Sequence, residues 1–376
     1  MRLSPLLLLL LAVSPVPAWS QEHPVPALLV REIEPTDTLR PIDAGSGRIL
    51  PPASGPGMLT FGALDGAPHE ILGGVDAVSA APDGRILVLD DRNSVIRIVD
   101  ASGRYLGSVG RAGRGPGDLY HARSMTVDAR GYLYVGDLLR RVQRFRPRGT
   151  GFELDTVITT GVAPLGLCMM DSVIVVHGVN SAMPGVVHLY DRQGRHFRSF
   201  GSVYQAKNEI INHQATSGTI VCLPGAGLIA FMPRSGIVRE LRLYDLEGRT
   251  RRLSIVAGMR SNHLTETPGG GSTVTLAEDG NHAVASLLAT PDERILLQIG
   301  LRDGRSRGEG VTYSQIYTAI LGIDASARVH YGRGGARVAA FSGRKPVFVV
   351  EDPAPAIRWA GGKQPASRNA AAPVSR

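Results

Sequence analysis

The side chains that could do chemistry are scattered. Ten histidines are spread over the 376 residues, and none falls into H-x-H, H-E-x-x-H or H-x-x-x-H, the spacings that bring two imidazoles to one metal. No G-x-S-x-G elbow presents a nucleophilic serine. Gly332-Arg333-Gly334-Gly335 lacks the strand-then-helix setting in which a glycine loop cradles phosphate. The sequence therefore names no catalytic residue and calls for no metal and no cofactor, and the chain reads more as a binder than as an enzyme. What remains is basic and polar. Arg111, Arg114, His121 and Arg123 share one short segment with Asp118. Lys207, Asn208, His213, Arg260 and His263 lie in later segments, near His177, Asn180 and Asn262. Such groups suit an anionic ligand or an acidic protein surface, although connecting loops are polar for reasons of their own.

Cys168 and Cys222 are the only cysteines, each near the start of an apolar stretch (Leu165 to Met169 and Thr219 to Leu223). In an oxidising compartment a bridge between them would contribute about 4 kcal/mol by the loop-entropy relation. Two buried thiols are the alternative. No C-x-x-C or neighbouring His completes a metal set.

These residues hang on a repeated strand pattern. From Val75 to Ala80 the chain alternates, then Pro82-Asp83-Gly84 turns it. Arg85 to Asp90, a polar tetrad, Val95 to Asp100, the turn Ala101-Ser102-Gly103 and Arg104 to Val109 complete four short strands without helical spacing. The unit then recurs, with Tyr132 to Asp137 matching Arg85 to Asp90 at a period within the roughly 40–50 residues of a four-stranded propeller blade. Asp90 and Asp137 end equivalent strands, and repetition at one position per unit points to a structural use. Fainter copies carry Tyr190-Asp191-Arg192-Gln193-Gly194 and Tyr244-Asp245-Leu246-Glu247-Gly248. Counting places blades near 73–110, 122–160, 162–201, 216–259 and 283–334, with insertions around Gly269 to Gly271 and Arg302 to Thr312. A sixth begins at Arg337 and runs out after Trp359. The expected fold is all-β, a six-bladed β-propeller of four-stranded antiparallel blades. An N-terminal strand, from Ala27 to Arg40 or around Leu59-Thr60-Phe61, closes the last blade and so removes its open edge.

Arg2, then Leu6 to Leu11, Pro15, Pro17 and Ala18-Trp19-Ser20 have the order of a secretory signal peptide cut before Gln21. The apolar run is far shorter than the ~20 residues of a membrane span. The expected organisation is a signal peptide over 1–20, the propeller over 21–360 and a disordered tail over 361–376, rich in Gly, Ala, Pro and Ser. The formal charge is +8, carried almost wholly by arginine, with Lys207, Lys345 and Lys363 the only lysines. Acids and bases are interspersed and aromatics make up 5%, a poor basis for stacking bases, so no nucleic-acid partner is expected.

Gly113-Arg114-Gly115-Pro116-Gly117-Asp118-Leu119, then Met125-Thr126-Val127-Asp128, then Gly131-Tyr132-Leu133-Tyr134-Val135-Gly136-Asp137 resembles the NHL repeat. Leu119 stands where that repeat usually has Phe. The match is specific over the first two blades and weak beyond them. The resemblance implies a bacterial exported six-bladed propeller whose relatives mostly bind proteins, peptides, carbohydrates or RNA. It also implies that the loops after second strands, with those leading into the next blade, surround one mouth of the central channel. A minority of related propellers are enzymes. A lactonase-like site would need axial carboxylates and amides, for which Glu70, Asp76, Asn180 and Asn208 are candidates. A peptidyl lyase would need three zinc-binding histidines, for which His121, His177 and His213 occupy loosely comparable places. The expected function is an exported, non-catalytic, monomeric binder that takes a protein, peptide or carbohydrate at the polar mouth, in the periplasm or outside the cell and without a membrane span after signal removal. A metal-assisted lactonase-like hydrolase or peptidyl lyase is the alternative.

Overall fold

A computed structural model describes residues 33–43, 47–180, 182–201, 209–261, 263–266, 272–275, 280–302, 313–351 and 353–361. The expected leader over 1–20 and the expected tail beyond Gly361 lie outside the described residues. Gly361 itself belongs to the propeller, since its N–H donates to Gly57 O at 2.9 Å.

The strand Ile86–Asp90 shows why the sequence makes blades. All five of its residues are buried, so the run is apolar on both faces. Ile86 and Val88 pack toward Val347, Val349 and Ile357, whereas Leu87 and Leu89 pack toward Leu133 and Val135. A strand that buries both faces needs a sheet on either side, and six sheets around an axis supply that without leaving a bare face.

Each blade runs outward from the axis. The first comprises Ala77–Ala80, Ile86–Asp90, Val95–Val99 and Tyr105–Val109. Ala122–Val127, Leu133–Asp137, Arg141–Arg148 and Gly151–Thr159 form the second, and Gly166–Met170, Val173–His177, Val187–Tyr190 and His196–Phe200 the third. The fourth holds Gly218–Leu223, Leu228–Pro233, Glu240–Tyr244 and Thr250–Val256, and the fifth Asn281–Ala289, Ile295–Arg302, Gln315–Leu321 and His330–Arg333. Arg337–Ser342, Lys345–Val350 and Ala356–Ala360 begin the sixth. The six inner strands touch in a closed ring.

Of the two N-terminal candidates for closure, Met58–Phe61 finishes the sixth blade, pairing antiparallel with Ala356–Ala360. Asp37–Leu39, from the other candidate, adds a parallel fifth strand outside the fourth blade instead. Of the two insertions, the earlier contributes the hairpin His263–Glu266 with Ser272–Thr275, and residues 303–312 of the later one lie outside the described residues.

Turn chemistry fixes the register at one end of the ring. In Asp100-Ala101-Ser102-Gly103-Arg104 the carboxylate accepts from Ser102 N and Arg104 N, and Arg104 Nε donates to its second oxygen. Gly103 has φ 87°, a conformation that only glycine adopts without strain. Asp191 and Asp245 repeat this with Arg195 and Arg249. The sulfurs of Cys168 and Cys222 are joined, tying the inner strands of the third and fourth blades with Cα atoms 5.7 Å apart.

Closure should govern stability. Phe61 is buried against the first blade's apolar surface and Thr60 beside it is exposed. Phe61→Ala is expected to cost about 3–5 kcal/mol, and Thr60→Ala less than about 0.5 kcal/mol. Denaturant unfolding of both variants measures the difference. Equal midpoints would show that the N-terminal strand is not what closes the ring.

Candidate functional site

Turns after first and third strands are short and gather at one end of the ring. The connections after second strands and between blades gather at the other end. The connection from the first to the second blade is anchored from below. Asp137, fully buried, accepts from Arg141 Nε at 2.8 Å. The Arg141 guanidinium then donates to the carbonyls of Arg114, Gly115 and Asp118 at 3.0–3.1 Å. Gln143 donates to Asp118 O and accepts from Gly117 N, both at 2.7 Å. Asp90 plays the corresponding part in the first blade, accepting from Gly73 N and from Asn93. Both aspartates are thus structural, as their repetition implied.

The same connection absorbs two of the sequence candidates. Arg111 Nε donates to Asp118 Oδ1 at 2.8 Å, and this bond holds the Asp118 carboxyl below the usual range. The Arg114 guanidinium lies over the Tyr120 ring, 4.5 Å from its centroid, and donates to the Tyr120 hydroxyl at 3.0 Å. Arg111 and Arg114 therefore belong to a loop lying over the second blade's third strand, away from the axis.

Closer to the axis, guanidinium groups come together from four blades. Arg123 Nη1 is 3.7 Å from Asp76 Oδ1 and 3.8 Å from Asp91 Oδ2, and His121 Nδ1 is 3.6 Å from the same Asp91 oxygen. Arg337 Nη2 donates to Val75 O at 3.1 Å and lies 3.8 Å from Glu351 Oε1. Arg302 stands 5.9 Å from the centre of the Tyr313 ring. Arg234 is open to solvent, and among the described residues no hydrogen-bond or ion-pair partner takes its guanidinium. Although its side chain reaches solvent, Arg234 stands deep among protein atoms, and the partial loss of hydration there pulls it below the usual arginine range. Tyr313 opposes this, and Arg337, Arg302 and Arg123 add to it by repulsion. The result is an electrostatic funnel in which cations outnumber the carboxylates of Asp76, Asp91 and Glu351. Such a funnel attracts anions and offers planar donors to carboxylate, sulfate or phosphate oxygens.

Two of those carboxylates are themselves unsettled. Burial raises Asp76, helped by the charge of Asp91, against the Asp91 N–H and Arg123. Burial likewise raises Glu351, against Arg337 and Arg92, with Asp76 adding to the rise. Below the funnel the axis is lined by apolar side chains mixed with polar ones, Asp128 and Asp171 among them. A cavity of about 420 Å³ is lined there by Val78, Met125, Leu167, Ile220, Leu288 and Phe341, one from each blade.

The remaining candidates are dispersed. His177, offered as a mouth residue and zinc ligand, is instead wholly buried. Its Nδ1–H donates to Val186 O at 2.8 Å and its Nε2 accepts from Gly218 N at 2.9 Å. Burial lowers its pKa to about 3, so it stays neutral with both nitrogens engaged. Asn180 shapes a turn, donating to Gly161 O and accepting from Ala182 N. His213 sits exposed on the helix Glu209–Thr216, its Nδ1 accepting from Ser217 Oγ at 3.2 Å. Arg260 is exposed, and its N–H donates to His282 Nδ1 at 2.8 Å. His263 is on the inserted hairpin, and Lys207, Asn208 and Asn262 lie outside the described residues. Of the nine candidates, the structure brings His121 and Arg123 together. Arg234, Arg302 and Arg337 were missed, although each follows or begins an apolar strand at the end facing this mouth. Among the described residues no group of three or more His, Cys, Asp or Glu side chains could hold a metal ion.

No family model matches the chain, and no curated protein matches it. Solved structures do. Hydrazine synthase of Kuenenia stuttgartiensis is 13% identical with a TM-score of 0.48, over 74% of each chain. Virginiamycin B lyase of Staphylococcus aureus is 10% identical with a TM-score of 0.47, over 80% of this chain and 98% of that one. The WD40 repeats of RRP9 are 14% identical with a TM-score of 0.49, over 82% and 98%. At such identities and scores these likenesses carry no information about chemistry.

The raised carboxylates give the funnel a pH dependence of definite sign. Asp76 and Glu351 take up protons at a higher pH than ordinary carboxylates, which titrate near 4. Folding disfavours their charged forms, so they cost stability at neutral pH, and that cost disappears as pH falls through their folded pKa values. Their protonation also releases Arg123 and Arg337. Affinity for a sulfated oligosaccharide, whose charge does not change, is expected to rise as pH falls from neutral toward the ordinary carboxylate range. A double variant, Asp76→Asn with Glu351→Gln, should bind more tightly at neutral pH and lose most of the dependence. Titration calorimetry at several pH values checks both.

Proposed function

We propose that this chain is an exported, non-catalytic binding propeller of the NHL-repeat kind, acting as a monomer, whose funnel takes an anionic segment of a protein, peptide or glycan. The observation that carries the reading is Arg234, a guanidinium without a partner among the described residues that feels the repulsion of Arg123, Arg302 and Arg337. Holding like charges together costs free energy in the empty protein, and a ligand anion offsets that cost. Pairing of Asp76, Asp91 and Glu351 with arginines favours a recognition surface over a hydrolytic site. The two engaged nitrogens of His177 count against a three-histidine zinc lyase.

Export is supported by the leader-like first residues and by the bridge between Cys168 and Cys222, since disulfides persist in oxidising compartments. No helix of the described residues is long and apolar enough to cross a membrane.

The test is binding of a poly-glutamate peptide and of a sulfated oligosaccharide, measured against salt concentration. Arg234→Gln should weaken the tighter of the two by about 10–100-fold, the value of one charge-assisted contact of roughly 1.5–3 kcal/mol. Arg111→Gln, out on the loop, should leave it within about threefold. Comparable losses in both variants would move recognition from the funnel to the whole basic face.

A further inference from the structure

A second basic site lies away from the funnel. Between the fifth and sixth blades a cavity of about 300 Å³ opens under the segment from Arg48 to Ser54. That is the small end of the range for ligand pockets. Three arginines line it, Arg48, Arg333 and Arg358, and among the described residues no carboxylate does. Arg333 lies 5.7 Å from the centroid of the Tyr317 ring. Arg358 is only partly exposed, and its Nε is buried with no partner. Neither Arg48 nor Arg358 has an ion-pair or side-chain hydrogen-bond partner among the described residues.

Other arginines of the chain are engaged. Arg85, Arg141, Arg144, Arg198 and Arg252 all spend their donors on backbone carbonyls or carboxylates. A partly buried guanidinium left unpaired is unfavourable unless an anion completes it.

The covering segment is seated by a glycine. A Cβ at Gly332 would lie 2.4 Å from Gly47 O and 2.9 Å from Ile49 Cγ1, so only glycine lets the segment lie down on this strand. Leu50, Pro51, Pro52 and Ala53 then supply an apolar wall. On the opposite side Thr318 Oγ1 accepts from Gln298 Nε2 at 3.2 Å, which leaves its own proton for another acceptor.

We propose that this cleft binds a small, doubly charged organic anion, with its charged groups on Arg358, Arg333 and Arg48 and its carbon body against the Leu50–Ala53 wall. Three cations without a carboxylate favour a dianion over a monoanion. The apolar wall favours an organic ligand over a bare inorganic one. Phosphate esters and dicarboxylates share this chemistry.

Calorimetry on the whole protein, with glucose 6-phosphate, succinate, inorganic phosphate and glucose as probes, tests the cleft. Saturable binding of glucose 6-phosphate or succinate is expected, with glucose inert, and whichever binds identifies the class. Arg358→Gln should weaken that binding at least tenfold, and Arg234→Gln should leave it within twofold, which separates the cleft from the funnel. Arg333→Gln, at an exposed position, provides a second reading should Arg358→Gln fold poorly, and Gly332→Val should weaken binding by lifting the covering segment. No saturable binding of either organic dianion up to about 10 mM would overturn the proposal. So would inorganic phosphate binding as well as the esters, or unchanged affinity in both arginine variants.

Discussion

Four backbone pairs hold the architecture in a ring, Met58 with Ala360, Leu59 with Trp359, Thr60 with Arg358 and Phe61 with Ile357. Six blades have six interfaces only if the last meets the first, and among the described residues each interface holds an apolar cluster. Opening this pairing would bare the strand edge of Ala356–Ala360 and the apolar surface around Trp359 together. It would also release the funnel. Arg123, Arg234, Arg302 and Arg337 stand on the second, fourth, fifth and sixth blades, and only a closed ring keeps these like charges together.

Neighbouring blades are fastened by a second, repeated device. Arg144 of the second blade donates to Arg192 O of the third, and Arg198 of the third donates to Leu246 O of the fourth. Trp359 of the sixth donates to Ala101 O of the first. In each case the acceptor is the carbonyl just after the aspartate that caps the turn between third and fourth strands. The aspartate uses its carboxylate to hold the N–H groups of the turn, which leaves this carbonyl facing the neighbouring blade. One turn sequence thus serves both its own hairpin and the adjacent interface, and this accounts for the survival of the Asp-x-x-Gly-Arg pattern where the rest of the repeat has faded.

The blades were legible because their signals are local. Alternation, a tight turn and a following apolar run are each confined to a few residues, as from Val75 to Val109, and their recurrence sets the period. Closure was legible only as a choice, since Met58–Phe61 and Asp37–Leu39 are both short, mixed strands, and pairing between chain ends leaves no mark in either one. The bridge between Cys168 and Cys222 was open for a related reason: equal placement on inner strands is visible, adjacency of the third and fourth blades at the axis is not. The funnel was harder. Arg234, Arg302 and Arg337 are single residues at strand ends, and their convergence follows from which end of each strand faces the mouth. Arg111 and Arg114 stood out because they lie in a dense motif, yet that density records a loop built on Arg141 and Gln143. His177 misled in the same way, its place in the repeat marking a buried link from Val186 to Gly218.

A basic balance carried almost entirely by arginine is therefore not a measure of how basic the surface is. Arg85, Arg141 and Arg252 act as multi-toothed donors for turn and loop carbonyls, a task to which lysine is poorly suited because its ammonium cannot span two acceptors in a plane. Against that background the informative arginines are those that hold nothing. In the funnel the excess cation faces carboxylates that burial has already made reluctant to ionise, so its field varies with pH. In the cleft between the fifth and sixth blades no carboxylate lines the wall among the described residues, so no described group there makes its field vary with pH. Two anion-attracting places on one scaffold thus differ in kind, the one open, shared among four blades and adjustable, the other small and covered. The difference follows from where the fold puts acids beside its arginines.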